Sequence, residues 1–149
     1  MQVDPRGQRF AAAVTTVVLL GSLVTGSWAL LGVQALVFAA GAVLGVRRAP
    51  YALVFRALVR PRLGPPKELE DAGPPRFAQG VGLFFAAVGT VGYGFGVTWL
   101  GLIAAAMALV AAFLNAAFGF CLGCEMYLLI KRFAPQIRFA GGPSASRVE

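Results

Sequence analysis

Two stretches of the chain carry no charged residue at all, Phe10 to Val46 and Phe77 to Cys124. A helix needs roughly 20 apolar residues to cross a hydrocarbon core about 30 Å thick, so each stretch is too long for one span and reads as two helices joined by a tight turn. The turns carry the expected punctuation, Thr25-Gly26-Ser27 in one and Gly94-Phe95-Gly96 in the other. The pattern predicts an all-α membrane protein, a four-transmembrane-helix bundle built from two helical hairpins. Its helices are expected near residues 10–24, 28–46, 77–95 and 99–130, within a single domain over residues 1–149. A composition of 58% hydrophobic and 13% charged residues fits no ordinary soluble domain.

Arg6 and Arg9 ahead of an apolar run, with Ser27-Trp28-Ala29 after it, imitate a cleavable leader. The run continues unbroken through Val46, so the first helix is expected to remain as a span.

Orientation follows from the basic residues. Arg6 and Arg9 precede the first helix; Arg47, Arg48, Arg56, Arg60, Arg62, Lys67 and Arg76 lie in the central loop, 47–76; Lys131, Arg132, Arg138 and Arg147 lie in the tail, 131–149. All 13 fall on one side of such a bundle. The positive-inside rule then places both termini and the central loop in the cytoplasm, in a multi-pass protein of the plasma (inner) membrane. The +7 net charge reflects this topology and contact with anionic lipid. Nucleic acid is not an expected partner, because no folded basic domain with interleaved aromatics accompanies the charge.

In the central loop, Tyr51, Val54, Phe55, Leu58 and Val59 recur with helical spacing while Arg56 and Arg60 point elsewhere. This predicts an amphipathic helix, begun by Pro50, lying flat on the inner leaflet. Beyond it, Arg60-Pro61-Arg62-Leu63-Gly64-Pro65-Pro66 reads as an extended connector, a solvated linker in preference to a docking surface. The two hairpins also open alike, Arg9-Phe10-Ala11 and Arg76-Phe77-Ala78, and each has a Trp near its outer turn, Trp28 and Trp99. Coincidence in a biased composition explains this as well as a parallel repeat does.

The chemistry-bearing feature is Cys121-Leu122-Gly123-Cys124-Glu125, which contains the only cysteines and the only acid within the apolar spans. On a continuous helix the two cysteines and Glu125 share one face, in the inner half of the membrane. Gly119 and Gly123 beside Cys121 permit either close helix packing or local loosening. A dithiol–disulfide couple, a persulfide carrier and a thiophilic metal site all begin from such a pair. No metal is predicted. Two thiolates and one carboxylate without His make a poor zinc site, and Met1, Met107 and Met126 are too scattered for a copper relay. Cysteines in apolar helices are often inert packing residues; Glu125 argues otherwise, unless it pairs with Arg76 or is protonated. Asn115, Gln79 and Gln34, with Thr15 and Thr16, are supporting polar residues expected to form interhelical hydrogen bonds.

The strings Asp4-Pro5-Arg6-Gly7, Pro50-Tyr51, Arg60-Pro61-Arg62-Leu63-Gly64-Pro65-Pro66, Pro74-Pro75-Arg76-Phe77-Ala78-Gln79 and Leu114-Asn115-Ala116-Ala117, leading to the cysteine motif, resemble the small bacterial membrane proteins of domain of unknown function 4395. The resemblance covers nearly the whole chain. Members of that family are typically encoded beside thioredoxin-like proteins and thiosulfate sulfurtransferases, so the resemblance implies thiol or sulfur metabolism with such partners.

Three function classes stand beside one another. The first is a thiol-redox or sulfur-handling protein in which Cys121 and Cys124 cycle and Glu125 accepts the proton. The second is a quinone-linked disulfide oxidoreductase; oxidation of an exported partner conflicts with the topology, because Cys121 lies roughly 30 Å from the outer end of the last helix at 1.5 Å per residue. The third is a small transporter or scaffold without catalysis. No cofactor is expected in the first class, and quinone enters only with the second. Homo-oligomerisation is compatible with all three.

Overall fold

The computed structural model describes residues 2–141. In chain order the elements are β1 (Gln2–Val3), α1 (Pro5–Thr25), α2 (Trp28–Leu44), α3 (Pro50–Val54), α4 (Arg60–Leu63), β2 (Glu70–Asp71), α5 (Gly73–Gly94), α6 (Thr98–Phe118) and α7 (Leu122–Gly141). A 3-10 turn, Val46–Arg48, precedes α3, and a π-helical turn, Phe55–Val59, joins α3 to α4.

Local chemistry sets the helix ends. Asp4 caps α1, its carboxylate accepting the Arg6 N–H at 3.0 Å, and Pro5 occupies the first turn, where a missing N–H costs nothing. At the other end Gly26 takes φ 66°, a left-handed conformation that glycine adopts without penalty, and its N–H satisfies the Ser22 carbonyl. Ser27 then caps α2, accepting the Leu30 N–H at 3.2 Å.

α1, α5 and α6 are each long and apolar enough to cross a membrane, with mean hydropathies of 1.4, 1.3 and 2.2. α2 is equally apolar but shorter, at 17 residues, or roughly 25 Å by the helical rise. Apolar side chains cover the outside of these helices: Val17 is 70% exposed, Leu36 71% and Phe84 62%. So much open apolar surface belongs in lipid. Trp28 and Trp99 are exposed at the starts of α2 and α6, at the end of the bundle that carries the hairpin turns. Aromatic rings at one level suit a membrane–water boundary.

The helices pack antiparallel in a closed ring, α1 beside α2, α2 beside α5, α5 beside α6 and α6 beside α1. Because lipid tails are as apolar as leucine, such association depends on close backbone approach. Glycine supplies it. A Cβ on Gly82 would fall 2.7 Å from the Phe38 ring, and one on Gly92 2.7 Å from the Gly101 nitrogen. Leu19, Leu31, Phe38, Ala86, Ala105 and Ala108 fill the interior. Gln34 is fully buried among them, donating to Thr15 Oγ1 at 3.4 Å and accepting the Tyr51 hydroxyl at 2.7 Å.

Four sequence expectations are corrected. The helix expected over 99–130 is two helices: α6 ends at Phe118, Gly119 turns left-handed at φ 69°, and α7 begins at Leu122. The connector expected at Arg60–Leu63 is helical, because the wide π turn before it leaves Pro61 in the first turn of α4, where it needs no N–H partner. The amphipathic segment does not present its whole apolar face outward. Phe55 is 3% exposed, its ring 5.8 Å from that of Phe10 and packed over Gly7, while Leu53, Leu58 and Leu63 stay open. α1 also begins earlier than residue 10, at Pro5, and an antiparallel pairing of β1 with β2 ties it to the central segment.

Candidate functional site

The ends of α1, α2, α5 and α6 that lie opposite the hairpin turns are held together by arginine. Arg9 donates to the carbonyls of Ala116 and Ala117 at 3.2 and 3.3 Å, satisfying the C-terminus of α6. Arg76 does the same for α2, donating to Ala42 at 2.6 Å and Val43 at 2.9 Å. A cation suits the negative end of a helix dipole. Arg6 bridges Asp4 at 2.9 Å and the Gly64 carbonyl at 3.0 Å, fastening the central segment to α1. The hydrogen bond from the Arg6 side chain holds the Asp4 carboxyl below its ordinary value. Burial pushes the Tyr51 phenol above its ordinary value, so it stays a donor to Gln34.

Cys121 lies in the break between α6 and α7, Cys124 lies in the first turn of α7, and the two are joined as a disulfide with a Cα separation of 5.1 Å. The break makes this possible in a defined way. Cys121 precedes the first helical residue of α7, its carbonyl accepting the Glu125 N–H at 3.0 Å. Its sulfur accepts the Cys124 N–H at 3.1 Å, as a capping side chain would. Gly123 brings this turn against α5, where a Cβ would sit 2.5 Å from the Ala78 Cβ. From there α7 runs antiparallel to α5, with the Tyr127 ring 5.8 Å from that of Phe77.

A cavity of about 910 Å³ opens beside the motif, and Cys121 is part of its wall. Thr15, Gln79 and Asn115 line it too, so four of the polar or thiol residues singled out from the sequence meet at one space. The remaining ones are elsewhere. Glu125 is exposed in the first turn of α7 and does not line the cavity. Arg76 caps α2 instead of pairing with Glu125, and Gln34 belongs to the buried cluster with Thr15 and Tyr51. Arg47, Arg56 and Arg60, expected only as lipid contacts, line the end of the cavity formed by the central segment.

The sequence reading also passed over Gln8, whose amide Nε2 is buried with no hydrogen-bond partner among the described residues. It stands between Arg6 and Arg9, ahead of the apolar run that begins at Phe10, so no sequence pattern signalled its burial.

A family model matches residues 3–132, described as Domain of unknown function (DUF4395). The chain belongs to this family. The matched range takes in the arginine-tied helix ends, the disulfide and every residue of the cavity wall but Gln2. No curated protein and no solved structure matches the chain.

Proposed function

We propose that this DUF4395 protein is a membrane thiol–disulfide exchange protein, with α1, α2, α5 and α6 as four spans in two hairpins. In this reading the arginine-rich end faces the cytoplasm of a plasma-membrane protein, against anionic lipid. The observation that carries the proposal is the disulfide at the start of α7, with the Cys121 sulfur accepting the Cys124 N–H at 3.1 Å. A sulfur held by a backbone N–H at a helix N-terminus is favoured as thiolate, the form that attacks and leaves in exchange.

The step balances without a cofactor. A partner thiolate attacks Cys121 Sγ, the disulfide breaks, and the Cys124 sulfur leaves as thiolate and takes a proton. A second partner thiol then displaces Cys121, so the partner becomes a disulfide and the pair a dithiol: two electrons and two protons are transferred. Glu125, exposed beside the pair, serves as proton acceptor from the incoming thiol. The chemistry suits a thioredoxin-like protein or a sulfurtransferase on the basic face; a hydrosulfide as attacking sulfur would leave a persulfide on Cys121 by the same displacement.

The test is a maleimide gel shift on the purified chain poised in dithiothreitol buffers of graded oxidation. A reversible transition involving two thiols, lost in Cys121→Ser, is expected. Cysteines that remain blocked or unreactive after reduction would refute the exchange function.

A further inference from the structure

Extending that exchange reading, we infer that the cavity beside Cys121 seats a membrane-soluble quinone, which takes the electrons of the dithiol and restores the disulfide. The inference rests on three features that meet at one space. Its walls are largely apolar and come from the helices themselves, with Ala11 of α1, Phe38 of α2, Phe85 of α5 and Ala108 of α6 among them. Its volume, about 910 Å³, lies within the range that holds organic ligands of drug size, roughly 300–1,000 Å³, and exceeds what one or two waters fill.

The polar groups on these helix walls are neutral amides and the Thr15 hydroxyl, which already accepts from Gln34. Gln8, Gln79 and Asn115 line the cavity, and the Gln79 and Asn115 side chains make no hydrogen bond among the described residues. A buried amide donor left unpaired costs about 1–3 kcal/mol, so an occupant that presents a carbonyl is favoured over one that does not. An acyl chain of lipid offers no acceptor at that depth. A small inorganic anion could be met by Arg47, Arg56 and Arg60 at the central-segment end, but it would leave the apolar helix walls unfilled.

The third feature is Cys121 itself, in the same wall. A ligand that is flat, apolar, carbonyl-bearing and able to take two electrons beside a dithiol has the chemistry of a quinone. The step conserves atoms and charge: two thiols lose two electrons and two protons and form the S–S bond. The quinone gains both and becomes the quinol. No other oxidant is required.

The test uses the full chain in detergent, reduced and freed of reductant under nitrogen. The probe is decylubiquinone, whose fully substituted ring leaves no carbon for a thiol to add to. Quinol formation is followed by ultraviolet absorbance and thiols are counted in parallel. The expected result is one quinol per disulfide formed, saturating with quinone. Asn115→Leu should raise the half-saturating quinone concentration roughly five- to tenfold, the equivalent of one lost hydrogen bond. If a small disulfide such as hydroxyethyl disulfide oxidises the dithiol while decylubiquinone does not, the quinone assignment is overturned and the exchange function stands. If neither oxidises it, both redox steps fall. Equilibrium dialysis with the Cys121→Ser/Cys124→Ser variant tests the seat alone: binding weakened by Asn115→Leu supports it, and no binding overturns it.

Discussion

Gly123 of α7 and Ala78 of α5 touch with no room for a side chain between them: a Cβ on Gly123 would lie 2.5 Å from the Ala78 Cβ and 2.6 Å from its Cα. The contact is to backbone, which cannot swing aside as a flexible side chain could. It fixes the turn that carries both cysteines to the start of α5, the same helix that contributes Gln79 to the cavity.

Gly123→Ala should therefore push the first turn of α7 away from α5. Overpacking of this kind costs about 1–3 kcal/mol. Thermal unfolding in detergent should show a lower midpoint, and the fraction of Cys121–Cys124 disulfide at a given redox poise should change. A midpoint and a poise both equal to wild type would mean that the turn is not held by this contact.

Tyr51→Phe removes the donor to the Gln34 carbonyl oxygen, 2.7 Å away, and leaves that oxygen buried without its strongest partner. The expected loss is about 1–3 kcal/mol, concentrated where the central segment meets α1 and α2. Trypsin should then cut more readily at Arg56 and Arg60. A companion Gln34→Leu change, which removes the stranded amide, should recover part of the loss. The raised phenol pKa gives the sign at high pH: the buried neutral form is fully retained below the ordinary value of 10.0, and its contribution is lost as pH rises through the higher folded value.

Asp4 carries the opposite dependence. Its carboxyl titrates below the ordinary value of 3.8 because the Arg6 side chain donates to it, so its cap on α1 is complete above that value and lost as pH falls through the lower folded one. Acidification should loosen the first turn of α1 and the strand pair Gln2–Asp71 and Val3–Glu70. Amide hydrogen exchange in the first turn of α1 should accelerate in that window, and in Asp4→Ala at neutral pH as well. Equal exchange in wild type and variant would remove Asp4 as the cap.

Absence of charge made the long apolar helices legible from sequence, and Gly26 and Gly96 lie at turns between them. The same signal concealed the break after α6. Apolar residues run on from Phe118 to Cys124 without a charge, so hydropathy treats the break and the helix alike. The informative residue was Gly119, whose left-handed backbone ends α6 and frees Cys121 to cap α7. The depth of Phe55 was not legible either, because helical spacing states which side chains share a face but not whether lipid or Phe10 covers it. The cavity arises from tertiary packing of at least four helices, and no local pattern encodes that Gln8, Gln79 and Cys121 share a wall.

Glu125→Gln tests the assigned proton acceptor. The side chain is exposed, so the change should leave the fold intact. Alkylation of the reduced protein by iodoacetamide should slow severalfold near neutral pH, with the rate profile displaced upward, if the carboxylate takes the thiol proton. A faster reaction would show instead that its negative charge merely opposes the thiolate.

The two cysteines should differ in what they trap. Cys121 is the sulfur that accepts a backbone N–H, from Cys124 at 3.1 Å, and it lines the cavity; Cys124 does neither. Cys121 is thus the attacking and attacked sulfur, with Cys124 the resolving one. In Cys124→Ser the thiolate of Cys121 remains stabilised, but nothing displaces a bound partner, so a mixed disulfide with glutathione or with a small disulfide reagent should accumulate. In Cys121→Ser the remaining thiol lacks that N–H, and mixed disulfide should form at least several times more slowly. Intact-mass spectrometry after timed exposure to oxidised glutathione reads both rates directly. Equal rates would deny the helix start any part in activating Cys121, and a faster Cys121→Ser variant would exchange the two roles.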